Sequence, residues 1–369
     1  PGYRSDDLLT MVVSVPFPNP AAPSASPYFT PESRRQFFDA VEREVKRVPG
    51  VRGAAWGSAL PLDGWWVGMS FQRADEPPRP ELQGDGTRYQ NVSPAYFSTM
   101  GIPILAGRSF TTTDTATAPP VCIVNEEFVR LYSRDRSPLG TRIVIRGMTT
   151  AGAPRPVREI VGVVRQVKER PDEARPEPHV YVPIAQDPMW GASLVVQPIT
   201  GPASALAPAV RAAIARVDKG RPVVNVRTMA AIGREATASA RFRAVLVATF
   251  AALALTLAIV GVFGVLAYAV QQRVREFGVR IALGATTANV LRLVFASTLR
   301  ILAAGVLAGL IGAALLARSI ATFLFGVKPL DPVTFGGVAI LLALTAALAT
   351  AVPALRAARV DPIVVLRDE

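Results

Sequence analysis

Chemistry-bearing residues are scarce in this sequence. Among 369 residues there is one cysteine, Cys122, and one histidine, His179. A lone cysteine excludes an intrachain disulfide and therefore a disulfide-stapled scaffold. Cys122 lies in PPVCIVNEEF, which reads as a buried strand, so it is expected to be a small core residue. A His-based triad would depend on His179 alone, in EPHVYVP at the start of a strand pattern, where a structural role is the simpler reading. GxSxG, HExxH and CxxC motifs are absent. The acidic residues of DGWW and QGDGTR read as turn formers rather than as a catalytic pair. No catalytic, cofactor-binding or metal-ligating set is therefore assigned. There is also no G-x-x-x-x-G-K followed by Ser or Thr, and no Gly-Lys dipeptide at all. Any ATP-driven work by this chain requires that another polypeptide bind the nucleotide.

The formal charge of +12 does not indicate nucleic acid. Residues 1–240 carry 28 Lys+Arg against 23 Asp+Glu, and residues 241–369 carry 12 against 5, with those positives flanking apolar runs. No basic stripe is interleaved with aromatics, so a nucleic-acid partner is not expected. The sequence starts at Pro1 rather than Met, as expected of a fragment or a processed chain.

Long apolar runs are what the second half does contain. Ala244–Val270 holds 27 residues without a charge, and as a helix it would span about 40 Å, more than the ~30 Å hydrocarbon core of a bilayer. Ile301–Ala317 is bounded by Arg300 and Arg318, which can snorkel toward headgroups. Val333–Leu355 follows Asp331-Pro332 and ends before Arg356. Three transmembrane helices are expected, at about 244–270, 297–325 and 333–355. Arg273, Arg275, Arg280, Arg292 and Arg300 lie between the first two spans, and Arg356, Arg359 and Arg367 follow the third. The positive-inside rule then places the 271–300 loop and the C-terminus in the cytoplasm and residues 1–240 outside. Arg234, Arg241 and Arg243 oppose that orientation mildly. In the second span Gly305, Gly309 and Gly312 have the small-residue spacing that lets helices approach closely, although glycine is frequent in membrane helices anyway.

The first half alternates short strands and helices. LLTMVVSV (8–15), VRGAAWGSAL, PPVCIVNEEF, TRIVIRG, REIVGVVRQV and HVYVPIA read as strands. Thr30-Pro31 opens a helix whose Phe37, Phe38, Val41, Val45 and Val48 recur at helical spacing. SLVVQPI, ASALAPAVRAAIARVD and PVVNVRT form a strand–helix–strand unit, and Met229–Arg243 reads as a stalk helix running into the first span. The expected fold class is an α+β extracytoplasmic domain over 1–240, followed by an all-α bundle of three transmembrane helices over 244–369.

Between the first two spans lies RVREFGVRIALGA. Val274, Phe277 and Ile281 form one apolar stripe, while Arg273, Glu276 and Arg280 share another side. Gly278 weakens the helix centrally, and Gly284 is a natural stop. On these grounds the segment is either an interfacial helix with arginines facing headgroups or a surface that a partner grips.

Several stretches, in their order and spacing, resemble the MacB/FtsX-type permeases of ATP-binding-cassette (ABC) transporters, and within them the C-terminal half of the duplicated orphan permease branch (ADOP). They are PGVRGAAWGSALPLDG, NVSPAYFSTMGIPILAGRSFTTTD, VCIVNEEFVRLY, REIVGVVRQVK and VYVPIAQ in the first half. In the second half they are FAALALTLAIVGVFGVLAYAV, QRVREFGVRIALGATTANVLRLV, FLFGVKPLDPVTF and PALRAARVDPIVVLRDE. The resemblance implies a multi-pass inner-membrane permease with a large extracytoplasmic domain of two mixed α/β lobes, about 1–80 with 190–227 and 85–185. It implies a first membrane helix upstream of Pro1 and a pairing permease half, in the same chain or as a homodimer mate. It further implies a cytoplasmic ABC ATPase partner, with a periplasmic adaptor as a further candidate, and export by motion of the outer domain without passage of substrate through the bilayer. By residue it assigns an ATPase-contacting coupling helix to Arg273, Arg275, Glu276, Phe277, Gly278, Arg280, Gly284 and Ala285, of which Phe277 departs from the commoner aliphatic residue. Two other readings stand beside export: a regulatory permease controlling an extracytoplasmic hydrolase, and a membrane-anchored binding or sensor protein without an ATPase.

Overall fold

The computed structural model describes most of residues 2–272, except 5–7, 18–25, 65–66, 78–84, 134–135, 147–155, 172 and 174. Beyond Gln272 it describes only 305, 307–309, 311–312, 315, 336–337, 340 and 344. The chain divides into two compact units, Pro1–Ser239 and Ala240–Glu369.

The first unit opens with β1 (Leu9–Ser14), α1 (Pro31–Lys46) and β2 (Val51–Gly57). It closes with β10 (Gly191–Pro198), α4 (Ala207–Val217) and β11 (Val223–Thr228). These strands form an antiparallel run in the order β11-β1-β10-β2. Alternation puts Leu9, Met11 and Val13 of β1 and Leu194 and Val196 of β10 into one core with α1 and α4. The start of α1 is set by Thr30, whose hydroxyl accepts from Ser33 N at 3.2 Å, with Pro31 at the first helical position. Its inward stripe of Phe37, Phe38, Val41 and Val45 is buried. Phe38 packs edge-on to Trp56 at 5.0 Å and its carbonyl accepts from Trp56 Nε1 at 3.0 Å, so the indole's one polar atom is satisfied in the core.

Between β2 and β10 lie β3 (Val67–Arg73), β4 (Asp85–Val92), α2 (Tyr96–Met100), β5 (Ile104–Gly107), β6 (Val121–Asn125), α3 (Glu126–Tyr132), β7 (Arg142–Arg146), β8 (Val157–Val164) and β9 (His179–Pro183). Six of these strands pair in a ring, β4-β3-β7-β8-β6-β9 and back to β4, with β6–β8 and β4–β9 parallel and the rest antiparallel. β5 adds to the remaining length of β8. The ring is a small barrel, and alternation sorts its residues by face. Cys122, Val124, Val180, Val182, Phe71 and Ile143 share one core, while Ile123 and Tyr181 pack in another with Tyr96, Phe97 and Met100 of α2. Only Gly57 and Val92 pair between β2 and β4, which makes that contact the seam of the sheet between the two lobes.

The second lobe begins earlier than expected. β3 falls within residues 1–80, yet it pairs with β4 and β7 rather than with any strand of the first lobe. The reason is Phe71, which is buried against Phe128 at 4.7 Å and fills the barrel. Asp85, read as a turn residue, heads β4. Cys122 is wholly buried, and burial pushes its thiol up to about 12.

Two outcomes follow. Gly107 has φ +72°, and a Cβ there would lie 2.2 Å from Val161 O, whereas Gly201 has φ +78° with open space around it. Urea unfolding followed by tryptophan fluorescence should show Gly107→Ala losing about 3 kcal/mol and Gly201→Ala about 1 kcal/mol. A maleimide at pH 8 should leave Cys122 unlabelled in the native chain and label it in denaturant.

Candidate functional site at the root of a membrane helix

The helix α5 runs from Met229 to Gln272 without a break, directly after β11. Its first turn is built as protein core. Thr228 caps it, its hydroxyl accepting from Ala231 N at 3.2 Å. Met229 N donates to Leu8 O at 3.0 Å. Met229 and Ile232 are buried in the cluster that holds Tyr3, Leu8, Leu60 and Tyr96. Because β1 and β11 are antiparallel with Leu9 opposite Thr228, the backbone of Leu8 lies beside this first turn.

Charges frame the same turn. Arg227 donates from one terminal nitrogen to Asp63 Oδ1 at 2.5 Å and from the other to Glu235 Oε2 at 2.8 Å. Its carbonyl accepts from Thr10 Oγ1 at 2.9 Å. The turn that carries Asp63 is tied to the segment after β8, since Leu62 N donates to Glu169 O at 3.0 Å. Glu169 is itself buried, 3.6 Å from Nδ1 of His179, whose ring stacks on Tyr181 at 4.1 Å. The only histidine is thus packed into the core, with its backbone N–H donating to Asn125 Oδ1 at 2.9 Å.

From Phe242 onward the helix changes solvent. Phe242, Val245, Leu246, Val247, Phe250, Leu253, Leu257 and Val260 are all exposed. A helix that exposes apolar side chains on every face has no stable place in water. Its backbone is bonded within itself, and Thr249 and Thr256 donate to the carbonyls of Val245 and Ala252 at 2.9 and 2.8 Å, so no polar group there needs water. Met229–Gly261, which holds an 18-residue stretch of mean hydropathy 2.5, is the one helix among the described residues long and apolar enough to cross a membrane.

The remaining site residues expected from the sequence are placed unevenly. Arg273, Arg275, Glu276, Phe277, Gly278, Arg280, Gly284 and Ala285 lie outside the described residues. Gly305, Gly309 and Gly312 are helical, the first two exposed and Gly312 half-buried, and a Cβ at any of them would meet nothing within 4 Å. The described positions of the second and third expected spans are helical, and most of both spans lies outside the described residues. Among the described residues no group of three His, Cys, Asp or Glu could hold a metal ion. The Asp63–Arg227–Glu235 cluster was not expected. Its members come from a turn, a strand end and a helix, and Asp63 and Arg227 are separated by 164 residues.

Comparison with known proteins adds the family. Residues 4–227 match the MacB-like periplasmic core domain, and residues 248–362 match the C-terminal FtsX-like permease domain. A pyoverdine export ATP-binding/permease protein PvdT of Pseudomonas syringae pv. tomato is 24% identical over 330 residues, covering 84% of this chain and 46% of that protein. A macrolide export ATP-binding/permease protein MacB of Azoarcus sp. is 32% identical over 151 residues, 39% of this chain and 22% of that protein. The chain therefore spans about half the length, or less, of these relatives. The crystal structure of the periplasmic region of MacB from Actinobacillus actinomycetemcomitans aligns with 63% of this chain and 94% of its own, at 10% identity and a TM-score of 0.41. With one family domain matched over more than half of its length and a second over most of the remainder, the chain belongs to the MacB/FtsX-type permeases of ABC transporters.

Proposed function

We propose that this chain couples ATP hydrolysis by a cytoplasmic ABC ATPase to motion of its extracytoplasmic domain, in the service of export. The observation that carries the reading is α5 itself: one uninterrupted helix begins in the core of the outer unit and continues as an apolar segment exposed on all sides. A helix hydrogen-bonded throughout is stiff enough to pass an axial push or a rotation over its length. Three spans, at about 244–270, 297–325 and 333–355, put residues 1–240 outside and the 271–300 loop and C-terminus in the cytoplasm.

In this reading Arg273, Arg275, Glu276, Phe277, Gly278, Arg280, Gly284 and Ala285 form the coupling helix on which the ATPase docks, because the segment returns charge to the chain directly after the apolar run. Gly305, Gly309 and Gly312 give the second span a face for close packing, within the chain or against a second permease half. Motion delivered to α5 reaches the lobes through Met229 and Ile232. The relatives' names support export as the purpose; pyoverdine and macrolides are the cargoes of those proteins, and none is assigned to this one.

Paired replacement of Glu276 and Arg280 by alanine tests the reading. The variant should reach the membrane in normal amount, while stimulation of the co-purifying ATPase falls about tenfold or more, as for loss of a buried interface anchor. Undiminished coupling in a correctly inserted variant would contradict the assignment.

A further inference from the structure

The turn Leu60–Gly64 is an irregular feature of the outer unit. Leu62 has φ +65°, a left-handed conformation that costs a residue with a side chain about 1 kcal/mol. Strain of that kind persists only where its surroundings hold it. Two contacts do so from opposite sides. On the barrel side, Leu62 N donates to Glu169 O at 3.0 Å. On the helix side, Asp63 accepts from Arg227 at 2.5 Å, and Arg227 bridges onward to Glu235 in the second turn of α5 at 2.8 Å. Leu62 also lies over α5, its Cδ1 3.9 Å from where a Cβ of Gly233 would stand.

The Asp63–Arg227 pair is poorly suited to be a simple stabiliser. Burial raises the Asp63 carboxyl above its ordinary value, and the opposing pull of Arg227 does not offset that. A part-buried ion pair is weak evidence of stabilisation, but it does fix which groups meet. Glu235, by contrast, is largely exposed, so its contact with Arg227 is weak in water.

We propose that Leu60–Gly64 is a strap joining the barrel lobe to the foot of α5, with Arg227 as its clasp. While Asp63 holds Arg227, the second lobe and the first turns of the helix move as one body. When the clasp opens, Leu62 relaxes from its left-handed conformation, and the lobe is held to the helix only through the packing of Met229 and Ile232 in the cluster with Tyr96 and Tyr181. The strap rests on the reading that α5 carries motion to the outer domain, and it names a second point, beside Met229 and Ile232, at which that motion is passed to the second lobe.

Hydrogen–deuterium exchange of the full chain in lipid nanodiscs tests it, comparing Asp63→Ala, Arg227→Met and Glu235→Gln with the parent. Both clasp variants should exchange about tenfold faster at Leu62 and at residues 229–232 together. Glu235→Gln should match the parent, and α1 should be unchanged in all three. Faster exchange at Leu62 alone, unaltered exchange in both clasp variants, or a rise that extends to α1 would each overturn the strap. The readout needs no ATPase, so its failure leaves the coupling reading standing. Conversely, a failure of Glu276 and Arg280 to matter leaves this result interpretable.

Discussion

Everything in this chain turns on one helix that must satisfy two solvents. The first turn of α5 buries Met229 and Ile232 beside Leu8 and Leu60, which contributes roughly 1.5–3 kcal/mol per side chain. A few turns later the same helix presents Phe242, Val245, Leu246 and Val247 to its surroundings. No loop or glycine-rich break separates the two regimes, for Gly233 lies within the helix and no proline occurs between Met229 and Gln272.

The outer unit matches that arrangement with an architecture that is well packed and chemically quiet. Its barrel lobe is filled by Phe71, Val124, Ile143, Val180 and Val182, and its first lobe by the faces of α1 and α4. The reactive residue types are spent on packing: Cys122 is sealed in the barrel, and His179 is stacked on Tyr181 beside Glu169. What the unit does display is a set of joints. The lobes share a single strand pair at Gly57 and Val92, and the turn at Leu62 connects the barrel to the helix foot.

Much of this was legible where local pattern and tertiary environment agree. The strand at Leu9–Ser14, the Thr30 cap with its Phe37–Val45 stripe, and the strand–helix–strand run from Gly191 to Thr228 follow from periodicity and capping alone. β3 and β4 did not, because VGMSFQR and DGTRYQNV mix glycine and polar residues, and their apolar partners are brought together only by closure of the barrel. The lobe boundary was misplaced for that reason. The clasp was invisible for a different one: nothing near Asp63 in sequence distinguishes it from a turn aspartate until a strand 164 residues later delivers Arg227. The segment 273–285 is the reverse case, assigned by pattern and resemblance alone and lying outside the described residues.

The central claim is that an ABC ATPase moves this chain. The most direct measurement is purification of the chain from its native membrane in mild detergent, with nucleotide hydrolysis measured before and after the chain is depleted. The account predicts that a protein bearing a Walker A loop is retained with the chain and that its hydrolysis depends on the chain's presence. Hydrolysis that is indifferent to depletion, or no nucleotide-binding protein retained at all, would contradict it.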